Sequence, residues 1–384
     1  MWRECVREEK RKYQPRKKGM DIHTVSQDTE AKGRPQVSPP LTVAILNWNG
    51  ATLLQKFLPS VVEYTPSHHA KILVIDNGST DHSLQLLREE FPEVEVLALE
   101  ENLGFAGGYN EVMKRIETPY ACLLNSDVQV SKDWIESPLR MLQENSSLAA
   151  VQPKILSYKK PICYEYAGAA GGFLDRHGYP FCRGRIFATV EEDHGQYDKP
   201  TAIMWASGAA LFVRKEAFLA VGGFDIHFFS HMEEIDLAWR FHRKGYNVFY
   251  DPTSKVYHVG GATLPSSSPQ KTYYNYRNNL LMLYKNLPYE RSRRLLRTRK
   301  WLDLLATLPP LLSGKWGHYK AQRKAWRDFR KMKSYYEPPL NVSSDEVLCP
   351  FSIVVQYFLW GRRYFSQLPR ALFPLQQSTK KEIK

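Results

Sequence analysis

Apolar and polar positions along the first part of the chain alternate in blocks that predict strands and helices in turn. Short apolar runs rich in β-branched residues predict buried strands, and apolar positions three and four apart predict helices. The predicted strands are Leu41–Leu46, Lys71–Ile75, Val94–Leu99 and Tyr120–Leu124. The predicted helices are 51–64, Asp81–Phe91 with Asp81 as N-cap, Gly107–Ile116 and Ser131–Asn145. This rhythm predicts an α/β fold with a mainly parallel central sheet flanked by helices.

The pattern changes after about residue 149. Short strands are predicted at Ala202–Ala206, Ala209–Val213, Asn247–Tyr250 and Lys255–His258, with a helix through Ile235–Arg243. The chain then reads as helical, basic and aromatic from Tyr273 to about Tyr336, and a last amphipathic piece is predicted at Phe351–Phe365. We expect a disordered basic leader (1–40, with Met20 as an alternative start), a domain of two halves (41–148 and 149–270), and a helical C-terminal region (271–384).

The net charge of +13 is unevenly distributed, which changes its meaning. Residues 271–384 hold 23 basic and seven acidic side chains, and residues 1–20 hold eight and three, so the middle of the chain is acidic. This distribution argues against a nucleic-acid partner. Basic residues beside Trp, Tyr and Leu favour an anionic membrane surface as partner, with ordinary helical packing as the alternative. Five scattered cysteines without a C-x-x-C pair favour a reducing, cytoplasmic setting.

Polar side chains follow the predicted strands where each strand ends. Asn47, Asp76, Asn102 and Asp127 come directly after, or just past, the first four strands. In an open α/β sheet, ligands bind beyond the carboxyl ends of the strands. A divalent cation shared with phosphate oxygens needs only one or two protein carboxylates, so Asp127 is a candidate ligand. Each motif also has a purely structural interpretation as a turn or a helix cap.

Two later features carry further candidate chemistry. Glu233, Glu234 and Asp236 lie at a predicted helix start, where acids suit the helix dipole. One of them is also the expected base for a hydroxyl nucleophile. His258 ends a strand before two glycines and is a candidate metal ligand, although a lone histidine is more often structural.

Seven ordered motifs between about 41 and 290 resemble family 2 glycosyltransferases, in particular the rhamnosyltransferase-like branch that builds bacterial surface polysaccharides. They are VAILNWN (43–49), VIDNGSTD (74–81), NLGFAGGYN (102–110), LLNSDV (123–128), SGAALF (207–212), GGFDIHFF (222–229) and EEIDLAWR (233–240). The resemblance implies a GT-A fold and an inverting transfer of a sugar from a nucleotide-diphospho-sugar, and the branch implies deoxythymidine-diphospho-rhamnose as the donor. It also implies a divalent metal, Mg²⁺ or Mn²⁺, and a saccharide or lipid-linked glycan acceptor.

The resemblance also assigns roles to residues. The base would be Glu234, with Glu233 and Asp236 as alternatives, and the metal would be held by Asp127 and His258. The donor would be bound by Asn47, Asn49, Asp76, Gly78, Ser79, Asn102, Gly104, Phe105, Gly107, Asn110 and Asn125. The acceptor would be bound by Trp205, Ser207, Gly208 and Arg240. Two departures from the family pattern are Asn125 in place of the first D-x-D acid, and Glu in place of Asp at the base position.

Three functional hypotheses follow from these observations. The first is the glycosyltransferase just described, acting at the inner face of the plasma membrane as a monomer or a homo-oligomer. The second is a non-catalytic, membrane-associated relative that binds a glycan or nucleotide, which the missing D-x-D acid allows. The third is a dinucleotide-binding oxidoreductase, which is disfavoured because the glycines at 104, 107 and 108 do not form G-x-G-x-x-G and follow the third strand.

Overall fold

A nine-stranded sheet forms the centre of the computed structural model, which describes residues 38–261, 267–340 and 347–369. The predicted leader lies almost wholly outside these residues. The strands of the described chain are β1 (Leu41–Asn47), β2 (Ala70–Asp76), β3 (Glu95–Ala98), β4 (Tyr120–Asn125), β5 (Val128–Val130), β6 (Leu148–Ser157), β7 (Gly172–Leu174), β8 (Pro180–Cys182), β9 (Arg185–Ile186), β10 (Thr189–Val190), β11 (Thr201–Ala202), β12 (Ala210–Arg214) and β13 (Asn247–His258).

Helices flank this sheet and fill the C-terminal region. They are α1 (Ala51–Tyr64), α2 (Ser83–Glu90), α3 (Gly104–Arg115), α4 (Glu136–Glu144), α5 (Lys215–Ala220), α6 (Glu233–Arg243), α7 (Pro269–Asn286), α8 (Tyr289–Leu305), α9 (Leu308–Leu312) and α10 (Trp316–Met332). Helix α1 shows why the periodicity works: its buried positions include Leu54, Phe57, Leu58 and Val61, which form one stripe.

The order of strands in the large sheet is β11-β13-β6-β12-β4-β1-β2-β3, and β5 pairs with β13 off this path. Strands β4, β1, β2 and β3 are parallel neighbours, as the alternating pattern predicts. Strand β12 is antiparallel to both β4 and β6, whereas β13 runs parallel to β6. The sheet is therefore mixed and mostly parallel, which confirms the predicted fold class.

Several predicted boundaries differ from the structure. The two strands expected at Asn247–Tyr250 and Lys255–His258 are one strand, β13, whose pairing with β6 is interrupted by an irregularity between Asp251 and Lys255. The helix expected from Ser131 begins only at Glu136. The piece expected at Phe351–Phe365 contains a π-helical turn, Val355–Leu359, and the rings at its two ends, Phe351 and Phe365, pack on the small sheet.

The small second sheet has the order β10-β9-β8-β7 and packs beside the C-terminal segment. Phe181 of β8 contacts Phe351 and Phe365, and Leu174 of β7 forms a bridge with Leu348. These contacts bring residues 347–369 back onto the body of the protein. Among the helices of the described chain, none combines the length and apolar character that crossing a bilayer requires.

Candidate functional site

The carboxyl ends of β1 and β2 lie side by side, since Asn47 is in register with Asp76. The Asn47 amide donates to Asp76 Oδ2 at 3.2 Å and to Ser79 Oγ at 3.3 Å. The Asn49 side chain accepts from the amide of Thr80 at 2.7 Å. Gly78 adopts a φ of +73°, and a Cβ there would lie 2.8 Å from the backbone of Glu101. The loops after β1 and β2 are therefore hydrogen-bonded to each other. Position 78 requires glycine because of its positive φ and its contact with the backbone of Glu101.

The loop after β3 is tied to the same edge by an asparagine that the sequence reasoning did not single out. Asn77 donates to Asn102 Oδ1 at 3.0 Å and accepts from the amide of Leu103. Asn102 Oδ1 also accepts from the amide of Gly104, where α3 begins. The amide of Asn77 also donates to the Asn47 carbonyl, which joins these contacts to the first group. The predicted donor residues Asn47, Asn49, Asp76, Ser79, Asn102 and Gly104 thus share one hydrogen-bond network, against which Gly78 packs. Asn110 lies apart from it and pairs with both backbone polar groups of Phe224.

Asp127 and His258 face each other across the β5–β13 pairing, in which His258 is in register with Val128. His258 Nε2 lies 3.1 Å from Asp127 Oδ1, and both residues are buried. Burial opposes ionisation of Asp127, but the hydrogen bond and charge of His258 outweigh it and lower the pKa of Asp127. Burial likewise opposes the charge on His258, yet hydrogen bonds to Asp127 and Glu165 raise its pKa to about 10. The structure therefore joins two predicted ligands that are 131 positions apart.

Both side chains are of a kind that binds divalent cations, and a cation would displace the proton that His258 holds, since only neutral imidazole is a metal ligand. Carboxylate oxygen and imidazole nitrogen are common ligands of such ions. No cluster of three or more His, Cys, Asp or Glu side chains is arranged to hold a metal within the described residues. The remaining ligands would have to come from diphosphate and water.

Glu165 lies on the far side of the His258 ring and was not found from the sequence. Its Oε1 is 3.5 Å from His258 Nδ1, and its Oε2 accepts from the amide of Ala167. Gly260 makes room for this carboxylate, since a Cβ there would lie 2.6 Å from Glu165 Oε1. The only signal in the sequence is an acid inside an otherwise uncharged stretch, which specifies no partner.

The three acids of α6 occupy different environments. Asp236 is fully buried and accepts from Arg240 at 2.8 Å, Lys285 at 2.9 Å and Asn286 at 2.7 Å. Although burial opposes its ionisation, the charges of Arg240 and Lys285 lower the pKa of Asp236 to about 2. Its oxygens are therefore already committed to basic and amide partners inside the protein.

Glu233 and Glu234 differ from Asp236 because each has an Oε2 atom that is buried without a hydrogen-bond partner. Burial, followed by the charge of Glu234, raises the pKa of Glu233 well above its ordinary value. Burial raises the pKa of Glu234 to about 7. Burial also raises the pKa of the Cys182 thiol to about 11, and the charges of Glu165 and Glu234 add to this increase.

Comparison with known families agrees with this arrangement. The model of glycosyl transferase family 2 matches residues 42–188, and that of glycosyl transferase family group 2 matches residues 142–326. Together the two matches span the loops after β1, β2 and β3, the Asp127–His258 pair and the acids of α6. The chain is a family 2 glycosyltransferase.

Two curated relatives of this glycosyltransferase come from Mycobacterium tuberculosis. The N-acetylglucosaminyl-diphospho-decaprenol L-rhamnosyltransferase is 27% identical over 236 residues, covering 57% of this chain and 75% of the relative. The pre-mycofactocin glycosyltransferase is 26% identical over 257 residues, covering 64% of this chain and 49% of the relative. This chain therefore spans about half the length of the second relative.

The fold of the glycosyltransferase is similar to that of GalNAc-T7, which was solved with UDP, GalNAc and Mn²⁺. The TM-score is 0.52 at 17% sequence identity, and the match covers 65% of this chain and 48% of the other. This similarity concerns the fold, which is of the GT-A type.

The residues predicted to bind the acceptor are held by internal contacts of the glycosyltransferase. The Trp205 indole donates to the Phe173 carbonyl, and the Ser207 hydroxyl donates to the Ala167 carbonyl. Gly208 lies against the ring of Phe105, so that a Cβ would be 2.9 Å from it. Arg240 pairs with Asp236, as described above. Their role in acceptor binding, like the role of Asn125 in donor binding, stays a prediction.

Proposed function

We propose that this glycosyltransferase moves a sugar from a nucleotide-diphospho-sugar to a saccharide or lipid-linked acceptor with inversion. The observation that carries the proposal is the Asp127–His258 pair, 3.1 Å apart at the carboxyl edge of the sheet. It lies beside loops whose amides and asparagines are fixed by Asp76 and Asn77. A divalent ion held there, Mg²⁺ or Mn²⁺, would offset the charge that develops on the leaving diphosphate.

Glu234 is the base in this proposal. Its pKa of about 7 lies near working pH, where general-base catalysis is most effective, and its Oε2 has no internal partner. Asp236 is a poor candidate because its oxygens accept from Arg240, Lys285 and Asn286. The ionised Glu234 carboxylate would take the proton of the acceptor hydroxyl. The hydroxyl oxygen would attack the anomeric carbon on the face opposite the diphosphate, which leaves.

Glu234→Gln and Asp236→Asn separate the two assignments. We expect Glu234→Gln to keep donor binding and to lose about 10²–10⁴-fold in turnover, the usual cost of removing a general base. Asp236→Asn should lose stability first, because it breaks a buried ion pair. Near-wild-type turnover in Glu234→Gln together with an inactive but folded Asp236→Asn would assign the base to Asp236.

Deoxythymidine-diphospho-rhamnose is the donor we propose, and a lipid-diphosphate-linked saccharide is the acceptor, in the synthesis of a cell-surface polysaccharide. The support is the similarity to a rhamnosyltransferase whose name specifies a decaprenol-linked substrate. A mass-spectrometric screen of nucleotide sugars for donor hydrolysis and transfer tests this proposal. Turnover of a uridine or guanosine donor alone would overturn the choice of donor and leave the reaction class in place.

The C-terminal helices suit a position on the inner face of the plasma membrane. Six large apolar side chains between positions 301 and 316 are at least half exposed: Trp301, Leu304, Leu305, Leu308, Leu312 and Trp316. Between residues 291 and 336 the acids are Asp303, which is buried, and Asp328, which accepts from Tyr273. The exposed charges there are consequently basic. Exposed aromatic and aliphatic side chains together with basic side chains are typical of surfaces that bind anionic lipid.

Co-flotation with vesicles tests this surface. We expect the protein to float with vesicles containing phosphatidylglycerol at low salt, and much less with phosphatidylcholine or at high salt. A Trp301→Ser/Leu312→Ser double variant should lose flotation. Ile162→Ser, which removes an exposed apolar side chain from another part of the surface, should keep it. Equal flotation of both variants would overturn the assignment of this surface.

A further inference from the structure

The segment that leads into the acids of α6 has an unusual backbone. Phe229, His231 and Met232 all have positive φ, at 64°, 71° and 71°, although none of them is glycine. Side chains disfavour this region, and such residues persist only where surrounding contacts hold them. Met232 is also the residue from which α6 begins, directly before Glu233 and Glu234. Whatever holds residues 228–232, here called the entry segment, therefore also sets the direction of the two glutamates.

Asn278 of α7 holds the carbonyls of this segment. Its side-chain amide nitrogen lies 2.9 Å from the carbonyl oxygen of Phe228, 2.9 Å from that of Ser230 and 2.7 Å from that of His231. Asn278 is fully buried, so no water competes for these contacts. One side chain thereby serves three carbonyls of five consecutive residues.

Arg277 fixes both the orientation of Asn278 and the start of the entry segment. Its Nε donates to Asn278 Oδ1 at 2.8 Å, which leaves the amide nitrogen of Asn278 turned toward the carbonyls. Its Nη2 donates to the carbonyls of His227 and Phe228, both at 3.0 Å. Arg277 is 7% exposed and also lies over the rings of Tyr273 and Tyr274.

The opposite side of the entry segment contacts the donor half. The Phe229 carbonyl accepts from the amide of Phe105 at 2.9 Å, in the first turn of α3. Gly104 allows this approach, since a Cβ there would lie 2.6 Å from the Phe229 ring. The entry segment is therefore held between the helix that follows the third donor loop and a helix of the C-terminal region.

We infer that Arg277 and Asn278 are positioning residues that hold the entry segment and thereby aim Glu234 at the acceptor hydroxyl. This inference rests on the proposed role of Glu234 as base. It gives α7 a part in the reaction although α7 follows the matched donor and metal motifs in the chain. A misplacement of about 1 Å costs on the order of 100-fold in rate, so the contacts need only drift slightly to be felt in turnover.

Asn278→Asp tests the inference, because it keeps the shape of the side chain and removes its donors. Asn279→Asp is the matched control. Asn279 is the next residue of α7, is buried, and donates to the Gly178 carbonyl at 2.8 Å instead of to the entry segment. We expect Asn278→Asp to lower kcat about 10- to 100-fold while the binding of dTDP with Mn²⁺, measured by calorimetry, changes less than threefold. Asn279→Asp should stay within threefold of wild type in both.

Hydrogen–deuterium exchange separates the inference from the proposed function. Asn278→Asp, or Arg277→Lys if the first variant does not fold, should raise amide exchange in residues 228–236 and leave β1 and β2 unchanged. If the wild type transfers no sugar but exchange rises as expected, the proposed function fails and the holding contacts stand. Unchanged exchange in this segment, full kcat in Asn278→Asp, or an equal loss of kcat in Asn279→Asp would each overturn the inference.

Discussion

Replacing Glu234 by Gln should make the protein more stable at alkaline pH while it removes activity. Burial raises the pKa of Glu234 from an ordinary 4.5 to about 7, so the folded state disfavours the ionised form. A carboxyl with a raised pKa stabilises the fold most below its ordinary value, and this contribution is lost as pH rises toward about 7. An increase from 4.5 to about 7 corresponds to about 3 kcal/mol. Glutamine is neutral at every pH and escapes this loss.

The assay is urea unfolding of the wild type and of Glu234→Gln between pH 4.5 and pH 8. We expect the two free energies of unfolding to be similar at pH 4.5, and the variant to gain up to about 3 kcal/mol by pH 8. Glu93→Gln, which changes an exposed acid, is the control and should show no such pH-dependent gain. The reasoning that burial disfavours the ionised form of Glu234 would be refuted in two cases. One is a difference in free energy of unfolding that does not vary with pH, and the other is a variant less stable than wild type at pH 8.

Three further predictions concern the proposed metal ligands Asp127 and His258 and the donor loops. Asp127→Ala should abolish the Mn²⁺ dependence of dTDP binding in calorimetry, and unchanged dependence would reject its role as ligand. Glu165→Gln should weaken Mn²⁺ binding, followed by electron paramagnetic resonance, by about 10- to 100-fold, as expected for a group that orients a ligating histidine; an unchanged affinity would contradict this. Gly104→Ala should lower the free energy of unfolding by more than about 1 kcal/mol. It should cost more than Gly222→Ala, which has a similar φ but no atom within 4 Å of the added Cβ, and equal losses would show that contact with Phe229 is unimportant.

The parallel half of the sheet and the placement of the donor loops were predictable from the sequence. Buried strands covered on both faces appear as continuous apolar runs, and parallel strands end at the same edge, so Asn47 and Asp76 had to meet. Asp127 and His258 were candidate metal ligands because each follows or ends a predicted strand, and the family resemblance then assigned both of them to the metal. Their 3.1 Å approach depends on the β5–β13 register, which no local pattern encodes.

The contacts that orient the site were beyond sequence reasoning. Glu165, Arg277 and Asn278 act through backbone carbonyls or a histidine ring that lies far away in the chain, and such partners leave no periodic signal. The difference between Asp236 and Glu234 has the same origin. Three acids in four positions look alike in a sequence. Only the placement of Lys285 and Asn286 shows that Asp236 is the one whose carboxylate is paired inside the protein.

The pairing of β5 with β13 has a consequence for the synthesis of the protein on the ribosome. Asp127 emerges early and His258 much later, and α7 follows later still. A chain interrupted before residue 258 would contain every predicted donor loop but only one of the two proposed metal ligands. If Asp127 and His258 hold the cation as proposed, such a fragment cannot hold it against a diphosphate, and translation that stops early yields no product that consumes the donor. The proposed reaction then becomes possible only when β13, the last strand of the large sheet, has been made and has paired with β5.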